Sequence, residues 1–141
     1  MSNLGPLIRL AKFELDEKRR QLAELHAESD RLHRAVADLD AEVVRERDAA
    51  EQSPIAAAAF GPYLKRARAQ REALLNGIAQ LEARIAAMTD EVAEAFLELK
   101  RYELVQEARI QAARAERARK ETAFLDEAGA VGHRRKQQGG G

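Results

Sequence analysis

The chain has 141 residues, of which only 4% are aromatic and 34% are charged, and its 24 basic residues balance its 24 acidic ones. That composition is poor material for a globular core, and with no cysteine in the chain it excludes a disulfide framework and thiolate chemistry. Ala, Leu, Glu, Arg and Gln dominate, which predicts an all-α coiled coil without a sheet. No signal peptide or membrane-spanning run is visible, so we expect a cytoplasmic protein.

Charge is unevenly distributed along the chain. Residues 1–61 carry nine basic and twelve acidic side chains, residues 62–108 carry seven and eight, and residues 109–141 carry eight and four. The last segment is therefore basic and the rest is acidic. This asymmetry predicts that the C-terminal segment meets an acidic partner surface.

The first predicted helix spans about residues 6–52, with Pro6 at its first turn. Its seam positions follow a heptad in which nine of twelve residues are apolar. The a positions are Ile8, Leu15, Leu22, Ser29, Val36 and Val43, and the d positions are Ala11, Lys18, Leu25, Leu32, Leu39 and Glu46. Such a helix buries one narrow stripe.

A turn is predicted over residues 53–62, SPIAAAAFGP, where two prolines and a glycine interrupt the helical pattern. Ser53 and Pro54 are typical of a helix N-terminus, and we expect a short helical turn that ends at Phe60. The chain therefore folds back on itself here.

The second predicted helix spans about residues 62–128, and eleven of its fourteen seam positions are apolar. The a positions are Leu64, Arg71, Ile78, Ile85, Val92, Leu99 and Gln106, and the d positions are Ala67, Leu74, Leu81, Met88, Ala95, Tyr102 and Arg109. Gly129 is a reasonable C-terminal stop, so we expect one hairpin domain over residues 1–128 and a disordered tail over residues 129–141.

The polar residues on the seam predict a register. Pairing Glu46 with Arg71 makes the numbers of facing residues sum to 117, which places Leu39 opposite Ile78. The second helix then outreaches the first from about Ala113 onward, an overhang of roughly 24 Å at 1.5 Å per residue. Such an overhang is either solvated or held by another protein.

Catalytic, metal and cofactor sites are not expected. His26 and His33 are seven residues apart, whereas zinc ligands on one helix are spaced by three or four, and no third ligand is near. No catalytic constellation, cofactor motif or small-molecule site is visible, so we expect a protein that is not an enzyme. The basic residues from Arg109 to Lys120 fit a protein-docking face, a solvated helix or, with neither aromatic residues nor single-faced density, a weak nucleic-acid site.

Two stretches are similar to a known family. Residues 7–25, LIRLAKFELDEKRRQLAEL, resemble the N-terminal helix of the flagellar type III export stalk proteins, the FliJ/YscO family. Residues 98–129 are similar to their C-terminal helix, and residues 120–127 include the basic-acidic run that ends in a DE pair. The resemblance implies a two-helix stalk, peripheral at the cytoplasmic face of the inner membrane through its partners.

The partners that the resemblance implies are the export ATPase hexamer, the cytoplasmic domain of the export gate and substrate chaperones. We expect the paired open end to enter the ATPase ring and the early second helix to bind the gate. A generic cytoskeletal or divisome scaffold and a nucleic-acid-binding coiled coil are the alternatives. The candidate ring-binding residues are Lys12, Arg19, Arg109, Arg114, Arg117, Arg119, Lys120, Asp126 and Glu127, and the gate candidates are Arg71, Leu75 and Gly77.

Overall fold

The computed structural model describes residues 3–139, and these form two long helices and no strand. Helix α1 is Gly5–Ala50 and helix α2 is Pro54–Gly139. The predicted all-α class with two long helices is confirmed. Near its predicted start, α1 is capped by Asn3, whose Oδ1 accepts a hydrogen bond of 2.9 Å from the Gly5 backbone N–H, which satisfies one of the unpaired donors of the first turn.

The connection between the helices is much shorter than the predicted turn. It comprises residues 51–53 only, and Ser53 accepts the first α2 hydrogen bond, from Ala57 at 2.9 Å. Phe60, Gly61 and Pro62 lie inside α2, so the predicted turn over residues 53–62 is wrong. Pro62 removes one backbone donor, but Gly61 has no Cβ to clash with the proline ring, and the helical conformation before proline is thereby relieved.

The chain divides into two compact units. The turn-proximal unit is Lys12–Phe96, and the terminal unit joins Met1–Ala11 to Leu97–Gly141. Each unit takes a segment from both helices. The turn and most of the seam lie in the turn-proximal unit, and both ends of the chain belong to the terminal unit.

The core of the turn-proximal unit is a narrow stripe, as the heptads predict. One polar side chain, Ser29, is buried within it, and His33 donates from Nδ1 to the Ser29 carbonyl at 2.8 Å. The helices therefore contact each other along a single seam. The buried apolar residues of this unit are Leu15, Leu25, Leu39, Ala67, Ile78, Leu81 and Ala95.

The register of this unit differs from the predicted one by one heptad. Lys18 Nζ lies 3.4 Å from Glu91 Oε1, and Arg71 Nε lies 2.9 Å from Asp40 Oδ1. The residue numbers of these pairs sum to 109 and 111, close to 110 and not 117. The predicted pairing of Glu46 with Arg71 is therefore wrong, because the chain reverses earlier than predicted, over residues 51–53, and Asp40 lies beside Arg71 instead.

The terminal unit has a small core and a long exposed helix. Leu4 and Ala11 are buried together with one α2 residue, Leu99. From residue 107 to residue 139 every described side chain is exposed except that of Glu116. This exposed segment of 33 residues is about 50 Å long at 1.5 Å per residue, which is twice the predicted overhang.

The last residues also differ from the prediction. Residues 129–139 are helical and not irregular, and residues 140 and 141 of the predicted tail lie outside the described residues. Gly129 does not take a positive φ and does not form the expected helix stop, and Gly132 is likewise helical. Each glycine costs about 1 kcal/mol relative to alanine, and the neighbouring Ala, Arg, Lys and Gln residues have high enough helix propensity to continue α2 through them.

Candidate functional site

The candidate ring-binding residues of α2 all lie on the exposed part of the terminal unit. Arg109, Arg117 and Lys120 line one shallow depression of the surface together with Ala112, Ala113 and Glu116. Arg119 forms an ion pair with Glu116, one turn earlier on the same helix, and pairs of this kind on an exposed helix contribute little to stability. Arg114, Asp126 and Glu127 are exposed as well.

The basic side chains of this surface are largely uncompensated. In the part of the chain that the structure describes, no ion pair involves Arg114, Arg117 or Lys120. Residues 109–139 contain eight basic and four acidic residues. The exposed segment is therefore a rod of net positive charge, available for charge-assisted contacts with carboxylates.

The two candidate residues of α1 belong to the other compact unit. Lys12 and Arg19 are exposed, and both lie in the turn-proximal unit. The seven α2 candidates therefore lie in the terminal unit, and Lys12 and Arg19 lie in the turn-proximal unit.

The three gate candidates on α2 differ in what they offer to a partner. Arg71 already forms an ion pair with Asp40. The hydrogen bond to Asp40 and the charge of that carboxylate raise the pKa of Arg71. Gly77 packs against α1, since a Cβ at this position would lie 3.3 Å from Leu32 Cδ1. Leu75 is 43% exposed and is the apolar member of the three that is open to solvent.

A cluster of aromatic residues near the turn was not predicted. The rings of Phe60 and Tyr63 lie 6.2 Å apart, and the Arg47 guanidinium lies 5.8 Å from the Phe60 ring. The Tyr63 hydroxyl oxygen is buried. That burial, followed by the nearby Glu42 carboxylate, raises the pKa of Tyr63. The short turn creates this cluster, because it brings Phe60 beside the end of α1.

Exposed apolar side chains on the terminal unit are a second feature that the heptads did not indicate. Leu104 is 69% exposed and Phe124 is 71% exposed. Leu104 lies off the seam positions, where a large apolar residue is unexpected on a solvated helix. A count of apolar residues outside a and d would have found them. The exposed large apolar residues of this unit are Leu7, Leu10, Leu97, Leu104, Val105, Ile110, Phe124, Leu125 and Val131.

Within residues 3–139, the structure has neither a metal-ligating cluster nor a membrane-spanning stretch. These residues contain no group of three or more His, Cys, Asp or Glu side chains arranged to hold a metal ion. His33 is engaged by the Ser29 carbonyl, and His26 is exposed. Neither helix, over its described length, contains a stretch that is apolar enough to span a bilayer.

Comparison with known protein families gives a match over almost the whole chain. Residues 1–138 match the family described as flagellar FliJ protein. Searches of curated proteins and of solved structures found no match. The match covers almost the whole chain and agrees with two long helices that pack along a heptad seam. This chain belongs to the flagellar FliJ protein family.

Proposed function

We propose that this protein is a coiled-coil stalk of the flagellar type III export apparatus, whose terminal unit inserts into the ring of the export ATPase and promotes its assembly and activity. The observation that carries this proposal is the exposed segment of α2 over residues 107–139, about 50 Å long, with eight basic and five acidic residues. A helix that buries nothing in its own chain and carries surplus charge is suited to a partner surface of opposite charge.

The proposed ring contact is tested by measuring ATP hydrolysis by the purified export ATPase with the full chain present. Replacing Arg114, Arg117, Arg119 and Lys120 together by Ala removes four exposed charges. We expect the concentration for half-maximal stimulation to rise about tenfold, since charges at an interface act on association. Stimulation should also weaken with added salt, because the charges are exposed to the solvent.

A matched control separates this effect from a general loss of charge. The control replaces four exposed basic residues of the turn-proximal unit, Arg34, Arg45, Arg66 and Arg68, by Ala. Stimulation by the control should equal that of the unchanged chain, and circular dichroism should show both variants fully helical. Equal stimulation by the two variants would contradict a ring contact at the terminal unit.

The same proposal assigns the link to the export gate to α2 of the turn-proximal unit. Leu75 supports the assignment because it is exposed, whereas Arg71 and Gly77 are committed to Asp40 and Leu32. Changing Leu75→Glu should weaken binding of the cytoplasmic gate domain at least about tenfold by burying a charge at an apolar contact. Val44→Glu on α1, where the side chain is 54% exposed, is the control and should leave gate binding unchanged.

The remaining links follow from the same role. A stalk that contacts both the ATPase and the gate is positioned to bring substrate chaperones to the export machinery, and it is peripheral to the inner membrane through these partners. Pulldown of a chaperone–substrate complex with the full chain tests the chaperone link. Failure to recover the complex under conditions that retain the ATPase would restrict the proposal to the ATPase and the gate.

A further inference from the structure

The side of α2 that forms the seam does not end where its intramolecular partner ends. Leu99 is buried and Gln106 is half-buried. At 3.6 residues per turn, the residues that continue within about 40° of the Leu99 direction recur every three, four or seven positions. We call this surface the seam-side face, and up to Arg135 it consists of Ile110, Ala113, Arg117, Glu121, Phe124, Ala128, Val131 and Arg135.

The seam-side face is uncovered and carries more apolar than charged residues. All eight residues are exposed, with Phe124 at 71% and Ile110 at 39%. Two shallow depressions lie along it, one lined by Ala113, Arg117 and Lys120 and the other by Phe124, Ala128, Val131 and Arg135. Five of the eight residues are apolar, so the face is a weaker continuation of the stripe that α1 covers earlier in α2.

The spacing of this face identifies a helix as the matching shape. The residues of this face recur at intervals of three and four, which is the period that the side chains of a second helix match. An extended peptide would match a repeat of two residues. A nucleic-acid backbone would gain nothing from Ile110, Phe124 and Val131 packed on one side.

Charge identifies the chemistry of the partner helix. Two basic residues, Arg117 and Arg135, and one acidic residue, Glu121, interrupt the apolar stripe. Lys120 lines the depression beside Arg117, and neither Arg117 nor Lys120 forms an ion pair in residues 3–139. Because residues 109–139 carry eight basic and four acidic side chains, a second copy of this segment would bring a like charge. Acidic flanks on the partner would pair with Arg117 and Lys120 and satisfy them.

We infer that the seam-side face binds an amphipathic helix of a partner protein, with an apolar stripe along its centre and acidic residues on its flanks. The partner helix lies along α2 over the segment that no residue of this chain covers. This inference deepens the proposed function, on which it rests for the terminal unit being the binding end, by naming the chemistry of the contact. It is independent of which export component supplies the helix.

The inference is tested with two designed 28-residue peptides that bind the full chain. Both peptides carry Leu at every a and d position, and one has Glu and the other Lys at every e and g position, so that like charges keep each peptide from pairing with itself. We expect the Glu peptide to bind at least about tenfold more tightly than the Lys peptide, and its affinity to fall as salt is added. Equal binding of the two peptides would overturn the acidic assignment.

A pair of double variants locates the contact. Phe124→Ser with Val131→Ser removes two large residues of the seam-side face, and Leu97→Ser with Leu104→Ser removes two residues of comparable exposure that lie about 140° or more around the helix from Leu99. The first pair should weaken binding of the Glu peptide at least about tenfold, and the second should change it less than about twofold. A similar loss in both would overturn the location.

Two further measurements separate this inference from its competitors and from the proposed function. A dimer in sedimentation that Phe124→Ser with Val131→Ser dissolves would assign the face to a second copy and overturn the inference. Circular dichroism of each variant keeps loss of helix distinct from loss of binding. Binding of the Glu peptide without stimulation of the export ATPase would overturn the ring contact alone, whereas stimulation without peptide binding would overturn the partner helix alone.

Discussion

The two compact units are built from the same two helices, but they differ in how completely one helix covers the other. In the turn-proximal unit, seven buried apolar residues line the seam and ion pairs such as Arg71 with Asp40 bridge it. In the terminal unit, three apolar residues are buried and nine large ones are exposed, against five exposed in the longer turn-proximal unit. The turn-proximal unit therefore packs its seam within the chain, and the terminal unit leaves more apolar surface exposed for partners.

This difference has a simple cause. A two-helix coiled coil buries one stripe per helix, and it does so only where both helices are present. Because α1 begins at Gly5 and the short turn shifts the register, α2 continues for about 50 Å beyond its cover. Function is expected where packing within the chain is incomplete, since apolar surface exposed there can still be removed from water by a partner.

A disulfide across the seam gives the largest expected effect and tests the register on which the comparison depends. The chain has no cysteine, so Leu32→Cys with Ile78→Cys forms one new bridge if residues whose numbers sum to 110 face each other. The loop that it closes predicts a stabilisation of about 4 kcal/mol. Oxidation followed by thermal unfolding with and without reductant measures it. Leu39 and Ile78 would face each other only if the numbers of facing residues summed to 117. The pair Leu39→Cys with Ile78→Cys should therefore remain reduced under the same conditions.

Truncating one large side chain in each unit sharpens the comparison directly. Leu81 is 4% exposed and Phe124 is 71% exposed. Leu81→Ala leaves a cavity in the seam and should lower the free energy of unfolding by about 3 kcal/mol, whereas Phe124→Ala should change it by less than about 0.5 kcal/mol. Urea unfolding followed by circular dichroism provides both values. Comparable losses would mean that the terminal unit has a core of its own around Phe124.

Substitutions at two glycines of α2 should change the free energy of unfolding by smaller amounts. Together they separate the contribution of packing from that of helix propensity. At Gly77 an added Cβ lies 3.3 Å from Leu32 Cδ1, while at Gly129 nothing lies within 4 Å. Gly77→Leu forces the seam apart and should cost about 1–3 kcal/mol. Gly129→Ala should favour the helix by about 0.5–1 kcal/mol through helix propensity alone. Thermal unfolding compares the two, and a stabilising Gly77→Leu would contradict close packing of the helices at this point.

The candidate residues show where reasoning from the sequence succeeds and where it does not. The heptads predict that Leu25, Leu39, Ile78 and Leu81 are buried, and they are, because period alone decides which face of a helix is apolar. The register was wrong because Glu46 and Asp40 are both plausible partners of Arg71, and charge pairing does not distinguish them. The exposed placement of Arg114, Arg117 and Lys120 agrees with the expected docking face, while their role stays a prediction.

The sequence by itself determined that this protein is helical, that each helix carries one seam and that the C-terminal segment is basic, because propensity, periodicity and charge are local properties. Only the tertiary structure decided where the chain reverses and how the helices align. Pro62 and Gly61 indicate a turn locally, yet both are accommodated within α2. The one-heptad shift uncovers about 9 Å more of α2, and its helical continuation over residues 129–139 adds about 16 Å. The alignment of two helices depends on their connection and on long-range packing that no local pattern contains.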